Sequence, residues 1–393
     1  MALSTAARAA ALTAWLSLGC WRGPALGPQL PVAVVPFDAY GGAIYVPGVI
    51  NGDSAWLMLD TGLSRTGLDR DWAGSVGAVP VQGAETASTA VVNTLRLGEL
   101  ELPSYRVALY RLRGLSEASG RLQRGLVGHD LLQRFAVEID YEHRRVRLFD
   151  AAGYHYAGAG RPVRFTPDAD LPLLEAYVKV PHRRPIRTRL LLDTGASGLC
   201  VILTAPFVEQ HGLGGLSPAI DAPIGTGLVG ELHGTIVRLQ ELRLGGVTVP
   251  SPTTGLGGEN KGFLARTDID GVLGNAVFEG SRLVVDYARR RVIVEPRVVT
   301  GSPCDYDMSG LRLTARGPDL KHIMVDYVVP RSPSAEAGIE VGDELLGIDG
   351  HGVAETDLSD VRNTLRAAGA IRQLLLRRAA DTIRVALRLR RLL

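Results

Sequence analysis

The sequence predicts a mainly β fold made of two similar halves followed by a distinct C-terminal domain. Short segments of alternating apolar and polar residues, separated by turn sequences, dominate up to about residue 299. An apolar segment that ends in Asp-Thr-Gly occurs at residues 57–62 and again 133 residues later, at 190–195. The pattern changes beyond about residue 303. At 393 residues, the chain is long enough for two or three domains that each bury a core.

The first half is predicted as strands and turns in a definite order. Residues 43–46 and 54–59 form strands joined by Asn-Gly-Asp, which is a hairpin turn signal. Alternating segments follow the first Asp-Thr-Gly. Then come the apolar pair and glycine at 126–128, a short helical stretch at 129–134 and a strand at 136–141.

The second half repeats this order. Strands are predicted at 176–180 and 187–192, before the second Asp-Thr-Gly. The apolar pair and glycine return at 272–274, and a strand like that at 136–141 returns at 283–287. Matched landmarks in one order indicate a duplicated unit.

Asp-Thr-Gly loops that are each followed by two apolar residues and glycine resemble those of aspartic peptidases of the pepsin and retropepsin type. The resemblance implies two β-barrel lobes, at residues 32–155 and 156–299. It implies that Asp60 and Asp193 are catalytic, and it assigns supporting roles in the two loops to Thr61, Gly62, Thr194, Gly195, Gly128 and Gly274. In that family the threonines lock the loops together, and Gly128 and Gly274 would lie against the backbones of Gly62 and Gly195. Leu63 departs from the family pattern, whereas Ala196 conforms.

Two carboxyl groups held within a few Å resist double ionisation and share a proton, so the pair supplies both a general acid and a general base. The expected reaction is hydrolysis of an extended peptide or protein substrate by activated water, without a metal or an organic cofactor. Three alternatives stay open: two ordinary turn aspartates, an obligate homodimer, and a peptide-binding envelope protein without activity, which Leu63 favours. A serine peptidase is disfavoured because neither Gly-x-Ser-x-Gly nor Gly-Asn-Ser-Gly occurs.

A glycine-rich stretch at 225–230 matches the dinucleotide pattern Gly-x-Gly-x-x-Gly, but the alternating residues after it predict a hairpin arm where that pattern requires a helix. We therefore predict a flap over a bound peptide, with Gly225, Gly227 and Gly230 as its flexible positions. The first lobe's equivalent is expected near 82–91. It has only Gly83 as a hinge and is expected to be stiffer or reduced.

Residues 303–393 resemble a bacterial PDZ domain. Two strands precede a capped Ser-Pro helix, a Val-Gly-Asp turn, a strand, an Asp-Gly turn and a helix at 358–368. The resemblance implies that this domain binds a partner with a free C-terminus by strand addition. The expected contact residues are Gly310, Leu311, Arg312 and Leu313. The alternative is a domain that braces the lobes or binds the chain itself.

Residues 1–27 predict a secretory signal peptide or a lipoprotein leader, with Cys20 as the lipidated residue in the second case. The chain is therefore expected to be exported to the periplasm or cell envelope, attached to a membrane if Cys20 is lipidated. The net charge of +2 predicts no nucleic-acid partner.

The cysteines and histidines predict neither a disulfide framework nor a metal site. Cys200 lies in an apolar run, where a free cysteine packs as a small apolar side chain. No cysteine or histidine pair has ligand spacing. His129 and His143 are expected to be hydrogen-bonded surface groups.

Overall fold

The structure is a computed structural model that describes residues 29–81, 89–169, 171–258, 262–295 and 304–393. The predicted leader, Cys20 and most of the predicted first flap lie outside the described residues. The chain divides into the units Met1–Leu30 and Pro31–Leu393, and every element below belongs to the second. None of the described helices is long and apolar enough to span a bilayer.

The first half forms a closed barrel, because strand β3 pairs with β4 on one side and with β7 on the other. Its helices are α1 (Arg70–Ser75), α2 (Arg113–Ser119) and α3 (His129–Leu132). Its strands are β1 (Ala33–Pro36), β2 (Asp38–Tyr40), β3 (Ala43–Ile50), β4 (Asp53–Leu59), β5 (Gly67–Asp69), β6 (Val79–Pro80), β7 (Thr89–Leu97), β8 (Leu100–Tyr110), β9 (Gly125–Val127), β10 (Phe135–Asp140) and β11 (Arg145–Asp150).

The second half repeats this order with added strands and one helix, α4 (Ala205–Gln210). Its 3₁₀ helices are Gly262–Ala265 and Asn275–Phe278. Its strands are β12 (Arg161–Asp168), β13 (Leu171–Lys179), β14 (Ile186–Asp193), β15 (Val201–Leu203), β16 (Ala219–Gly227), β17 (Gly230–Arg238), β18 (Glu241–Leu244), β19 (Val247–Pro250), β20 (Thr253–Gly257), β21 (Gly271–Gly274), β22 (Arg282–Asp286) and β23 (Arg291–Glu295).

The two halves share one sheet, in which the strand order is β1, β11, β10, β22, β23, β12. At its centre β10 and β22 run antiparallel, with Val137 opposite Val285. Both central strands are buried along nearly their whole length, as expected for strands covered on both faces. The halves are therefore joined by backbone hydrogen bonds as well as by side-chain packing.

The C-terminal domain has its own apolar core and a separate sheet, in the order β24, β25, β26, β28, β29. Its helices are α5 (Pro333–Glu336) and α6 (Leu358–Thr364), the second shorter than predicted. Ser332 caps α5, as its sequence predicts. Its strands are β24 (Leu311–Arg316), β25 (His322–Val328), β26 (Glu344–Ile348), β27 (His351–Gly352), β28 (Ile371–Arg378) and β29 (Asp381–Arg388). The mainly β prediction with a distinct C-terminal domain is confirmed.

Two predictions about cysteine and histidine are wrong. Cys200 and Cys304 form a disulfide with their Cα atoms 5.7 Å apart, so Cys200 is not free. Folding brings together two cysteines that are 104 residues apart in sequence. His129 is not a surface group: it is buried, and its ring packs edge-on against Tyr287 with centroids 5.0 Å apart.

Candidate active site

Each Asp-Thr-Gly loop begins where a buried strand ends beside a second, parallel strand. In the first half β4 runs parallel to β9, and the Asp60 N–H donates to the Val127 carbonyl at 3.0 Å. In the second half β14 runs parallel to β21 and places Asp193 opposite Gly274. The sequence repeat is therefore a structural repeat, and each aspartate is fixed by a two-strand platform.

The two loops are joined by reciprocal hydrogen bonds between fully buried threonines. The Thr61 hydroxyl donates to the Leu192 carbonyl at 2.9 Å and accepts from the Thr194 N–H at 3.0 Å. The Thr194 hydroxyl donates to the Leu59 carbonyl at 2.8 Å and accepts from the Thr61 N–H at 3.1 Å. Each hydroxyl thus holds the opposite strand end, as the resemblance implied.

This lock brings the two carboxyl groups together. A Cβ atom placed on Gly62 would lie 2.5 Å from Cγ of Asp193, and one on Gly195 would lie 2.6 Å from Cγ of Asp60. Glycine is required at both positions because any side chain there would collide with the opposite carboxyl group. Asp60 and Asp193 are also hydrogen-bonded to one another.

The pair is built to hold one proton. Burial, the charge of Asp193 and the hydrogen bond to it raise the pKa of Asp60 well above its ordinary value. Burial also raises the pKa of Asp193, but the hydrogen bonds from Asp60 and from the Gly195 and Ala196 N–H groups, at 2.8 and 3.0 Å, oppose this rise. The Gly62 and Leu63 N–H groups oppose the rise at Asp60 in the same way, so the two carboxyl groups hold one proton between them.

Gly128 and Gly274 pack against the loops, but slightly beyond the positions predicted. A Cβ on Gly128 would lie 2.7–2.9 Å from backbone atoms of Leu63, Arg65 and Thr66, and not against Gly62. A Cβ on Gly274 would lie 2.4 Å from the Leu199 carbonyl oxygen, and not against Gly195.

Several residues that support the two loops were not among those predicted from the sequence. The Asp130 carboxylate accepts from the Thr66 N–H and hydroxyl, both at 2.7 Å, and holds the chain after the first loop. On the other side, the Asn275 N–H donates to the Ala196 carbonyl at 2.8 Å, and its side-chain amide donates to the Gly42 carbonyl at 2.8 Å. Each follows a repeated glycine by one or two positions, which is the signal that could have identified it.

The predicted flap is a hairpin. Strands β16 and β17 pair from Ala219 opposite Val237 to Gly227 opposite Gly230, so the glycines lie in its tip and the adjoining arm. Val229 at the tip is 89% exposed.

The predicted peptide-binding residues of the C-terminal domain already have partners within the chain. The Gly310 N–H donates to the Asp307 carboxylate at 2.6 Å, and the Leu311 N–H donates to the Ser309 hydroxyl at 3.0 Å. Arg312 forms an ion pair with Glu231 of the hairpin. The Leu313 carbonyl accepts from Arg362 at 2.6 Å.

Within the described residues, one group of Asp140, Glu142 and His143 could offer three ligand atoms to a metal ion. The Asp140 carboxylate already lies 3.0 Å from the His143 ring Nδ1 and 3.8 Å from Arg147. This group is not part of the paired loops.

Three comparisons with known proteins bear on the chain. A family model described as a PDZ domain matches residues 324–378, so the C-terminal domain is a PDZ domain, which binds peptide or protein partners. Among curated proteins, none matches. Among solved structures, a photosystem II D1 C-terminal processing protease is similar at 27% identity over 21% of this chain and 22% of that chain, with a TM-score of 0.20. The similarity spans about a fifth of that protein and carries no argument about activity.

Proposed function

We propose that this PDZ-containing protein is an aspartic-type endopeptidase whose catalytic pair is Asp60 and Asp193. The observation that carries the proposal is the reciprocal threonine lock, which holds two carboxyl groups in contact at the ends of two duplicated strands. Aspartates are common in ordinary turns, but a turn does not require a second loop bonded to it by reciprocal hydrogen bonds. Because both loops belong to one chain, the pair needs no second copy to complete it.

One proton shared by two carboxyl groups allows a division of roles, and we assign the proton at rest to Asp60, whose pKa is raised by burial and by the charge of Asp193. The ionised Asp193 accepts a proton from a water molecule as the water oxygen attacks the scissile carbonyl carbon. The protonated Asp60 donates its proton to the carbonyl oxygen, which gives a neutral tetrahedral intermediate. In the second step Asp193 returns its proton to the leaving nitrogen, and Asp60 recovers one from the intermediate hydroxyl as the C–N bond breaks.

An extended peptide is the substrate class that this arrangement favours. The β16–β17 hairpin offers a strand-like partner for an extended backbone, and its glycine-bearing tip suits it to close over a bound chain and to exclude water. The disulfide supports export, because disulfides persist in oxidising compartments. Attachment through a lipidated Cys20 belongs to the same proposal, and the mass of the mature protein tests it.

The test is cleavage of a reduced and alkylated protein, which presents extended chain, followed by mass spectrometry of the products. Asp60→Asn and Asp193→Asn should each lower the rate by about 10³-fold, because each removes one proton-transfer role. Asp53→Asn at the exposed start of β4 is the matched control and should leave the rate unchanged. A peptide with a hydroxyl-bearing carbon in place of the scissile amide should inhibit the unaltered protein.

Retained cleavage in both asparagine variants would contradict the proposal. If no cleavage is found and the hydroxyl-bearing peptide still binds, the protein is the non-catalytic peptide-binding alternative, which Leu63 favours. Leu63 differs from Ala196 at the matching position, although the Leu63 N–H still lies where it lowers the pKa of Asp60.

A further inference from the structure

The open edge of the PDZ sheet is covered by a helix from the first lobe. Strand β24 is the terminal strand of its sheet and pairs with β25 on one side only. Helix α6 packs beside β24, so the two form the walls of the groove in which strand addition would take place. Helix α2 of the first lobe packs on β24 and ends at Gly120.

One arginine ties the three elements together. Arg362 of α6 donates from the same nitrogen to the Ala118 carbonyl of α2 at 2.7 Å and to the Leu313 carbonyl of β24 at 2.6 Å. Close packing accompanies these bonds, because a Cβ on Gly120 would lie 2.5 Å from Cβ of Leu358. Strand addition uses backbone acceptors of the terminal strand, and the Leu313 carbonyl of that strand already accepts from Arg362.

Ion pairs hold α2 at the far end of the same strand. Glu117 of α2 pairs with Arg316 of β24, and Arg113 donates to the Gly317 carbonyl at 2.7 Å. On the other side of β24, Arg312 pairs with Glu231 and donates to the Thr226 hydroxyl at 3.2 Å. One PDZ strand therefore contacts the first lobe and the hairpin of the second.

The anion-binding end of the groove is filled as well. The Asp307 carboxylate accepts from the Ser309 N–H at 2.9 Å, from its hydroxyl at 2.7 Å and from the Gly310 N–H at 2.6 Å. These donors form the kind of backbone nest that would otherwise receive a terminal carboxylate. A peptide end would have to displace Asp307.

We propose that the PDZ groove has a resident occupant, helix α2 on strand β24 with Gly120 against Leu358 and with Asp307 in the nest, and that a peptide with a free C-terminal carboxylate binds only when α2 leaves. Peptide capture and docking of the PDZ domain on the first lobe are then mutually exclusive. The proposal rests on the peptide-binding role of the PDZ domain and is independent of the activity proposed for Asp60 and Asp193.

The proposal links the groove to the catalytic platform. Helix α2 lies between β8 and β9, and the Ser116 hydroxyl of α2 accepts from the Gln123 N–H at 2.9 Å, two residues before β9. Strand β9 in turn holds Asp60 through Val127. Release of α2 would therefore loosen the strand on which one of the two aspartates is seated.

The test loosens α2 by reversing the charge of one partner at a time in the full chain. Glu117→Arg and Arg316→Glu each replace the ion pair by repulsion between like charges. The double variant restores an ion pair with the two charges exchanged. Glu336→Arg, which breaks an ion pair elsewhere in the PDZ domain, is the matched control. All proteins carry Asp60→Asn so that the probe is not cleaved.

The probe is a pool of fluorescein-labelled decapeptides with randomised last four residues and free carboxyl ends, with the same pool amidated for comparison. We expect each single reversal to tighten binding of the free-carboxyl pool by tenfold or more, because apparent affinity rises with the fraction of open groove. The double variant should recover part of the weak binding, and the control should match the parent. Hydrogen exchange of the α2 amides should quicken in the single variants and in the parent saturated with the pool.

Single variants that bind the pool no better than the parent, or not at all, while their α2 amides exchange faster, would overturn the proposal. So would saturation of the parent without any change in exchange at α2. If a reversal unfolds the PDZ domain, Arg316→Ala gives the same comparison with a smaller perturbation. The result does not depend on peptidase activity, because no step of the measurement requires turnover.

Discussion

The two Asp-Thr-Gly loops are alike at the carboxyl pair and differ in the side chains that support them. Thr61 and Thr194 make matching bonds, and the two loop glycines face the opposite aspartates at nearly equal distances. Behind the first loop stands the Asp130 carboxylate. The second loop is supported by Asn275 and by Cys200 of the disulfide. The Cys200 carbonyl accepts from the Gly274 N–H at 2.9 Å. The repeated residues fix the pair, and unlike residues hold each loop in place.

The disulfide is the largest difference between the loops. Replacing both cysteines by serine (Cys200→Ser with Cys304→Ser) should lower the free energy of unfolding by about 4 kcal/mol, because the bond closes a long loop in the unfolded chain. Urea unfolding measures this, and reduction of the unaltered protein is the control. Amide exchange should quicken at Gly195 more than at Gly62, and equal changes at both would show that the bond does not act on the second loop.

The threonine lock is the shared part and should respond equally in both copies. Thr61→Val and Thr194→Val should each cost about 3 kcal/mol of unfolding free energy, because each leaves a buried carbonyl and N–H without a partner. Thr→Ser at each position keeps the hydroxyl and serves as the control. A cost at one position more than twice that at the other would mean that the lock is not symmetric.

Protonation should separate the two aspartates. A carboxyl group with a raised pKa binds more protons in the folded than in the unfolded state, so its contribution to stability is present in acid and is lost as pH rises through the folded pKa. Asp60→Asn removes this loss, and the variant should gain stability over the unaltered protein between pH 4 and pH 7, by about 1.4 kcal/mol for each unit of pKa elevation.

Asp193→Asn should gain less, because the hydrogen bond between the two carboxyl groups favours the charged form of Asp193, whereas that bond and the charge of Asp193 both raise the pKa of Asp60. Thermal unfolding of both variants at the two pH values measures the gains. If the stability of both variants depends on pH in the same way as that of the unaltered protein, a shared proton is contradicted.

The smallest effect is expected where the loops differ in sequence. Leu63→Ala gives the first loop the residue of the second, and should cost about 1 kcal/mol because Leu63 is only half-buried beside its apolar neighbours. The cleavage rate should be unchanged. A large increase in rate would show that Leu63 distorts the first loop, and Ala196→Leu would then be expected to lower the rate.

The sequence predicts what depends on local pattern and repetition. Strands around residues 57–62 and 190–195 follow from their apolar runs, and the threonine contacts follow from the family resemblance. What could not be predicted depends on contacts between distant segments. Cys200 has the neighbours of an ordinary buried side chain, and nothing near it indicates Cys304. Nor does the local sequence of α2 indicate that its outer face meets a PDZ strand some two hundred residues later.

The disulfide also changes what a single chain break can do. Residues 201–303 lie between its two cysteines, and they include the β16–β17 hairpin and the whole chain from β15 to β23. One cut anywhere in that interval leaves the two fragments covalently joined, so the PDZ domain stays attached to the second lobe. A protein cut there would run as one species on a non-reducing gel and as two after reduction. The disulfide, and not an uncut backbone, would then keep the two fragments together after proteolysis.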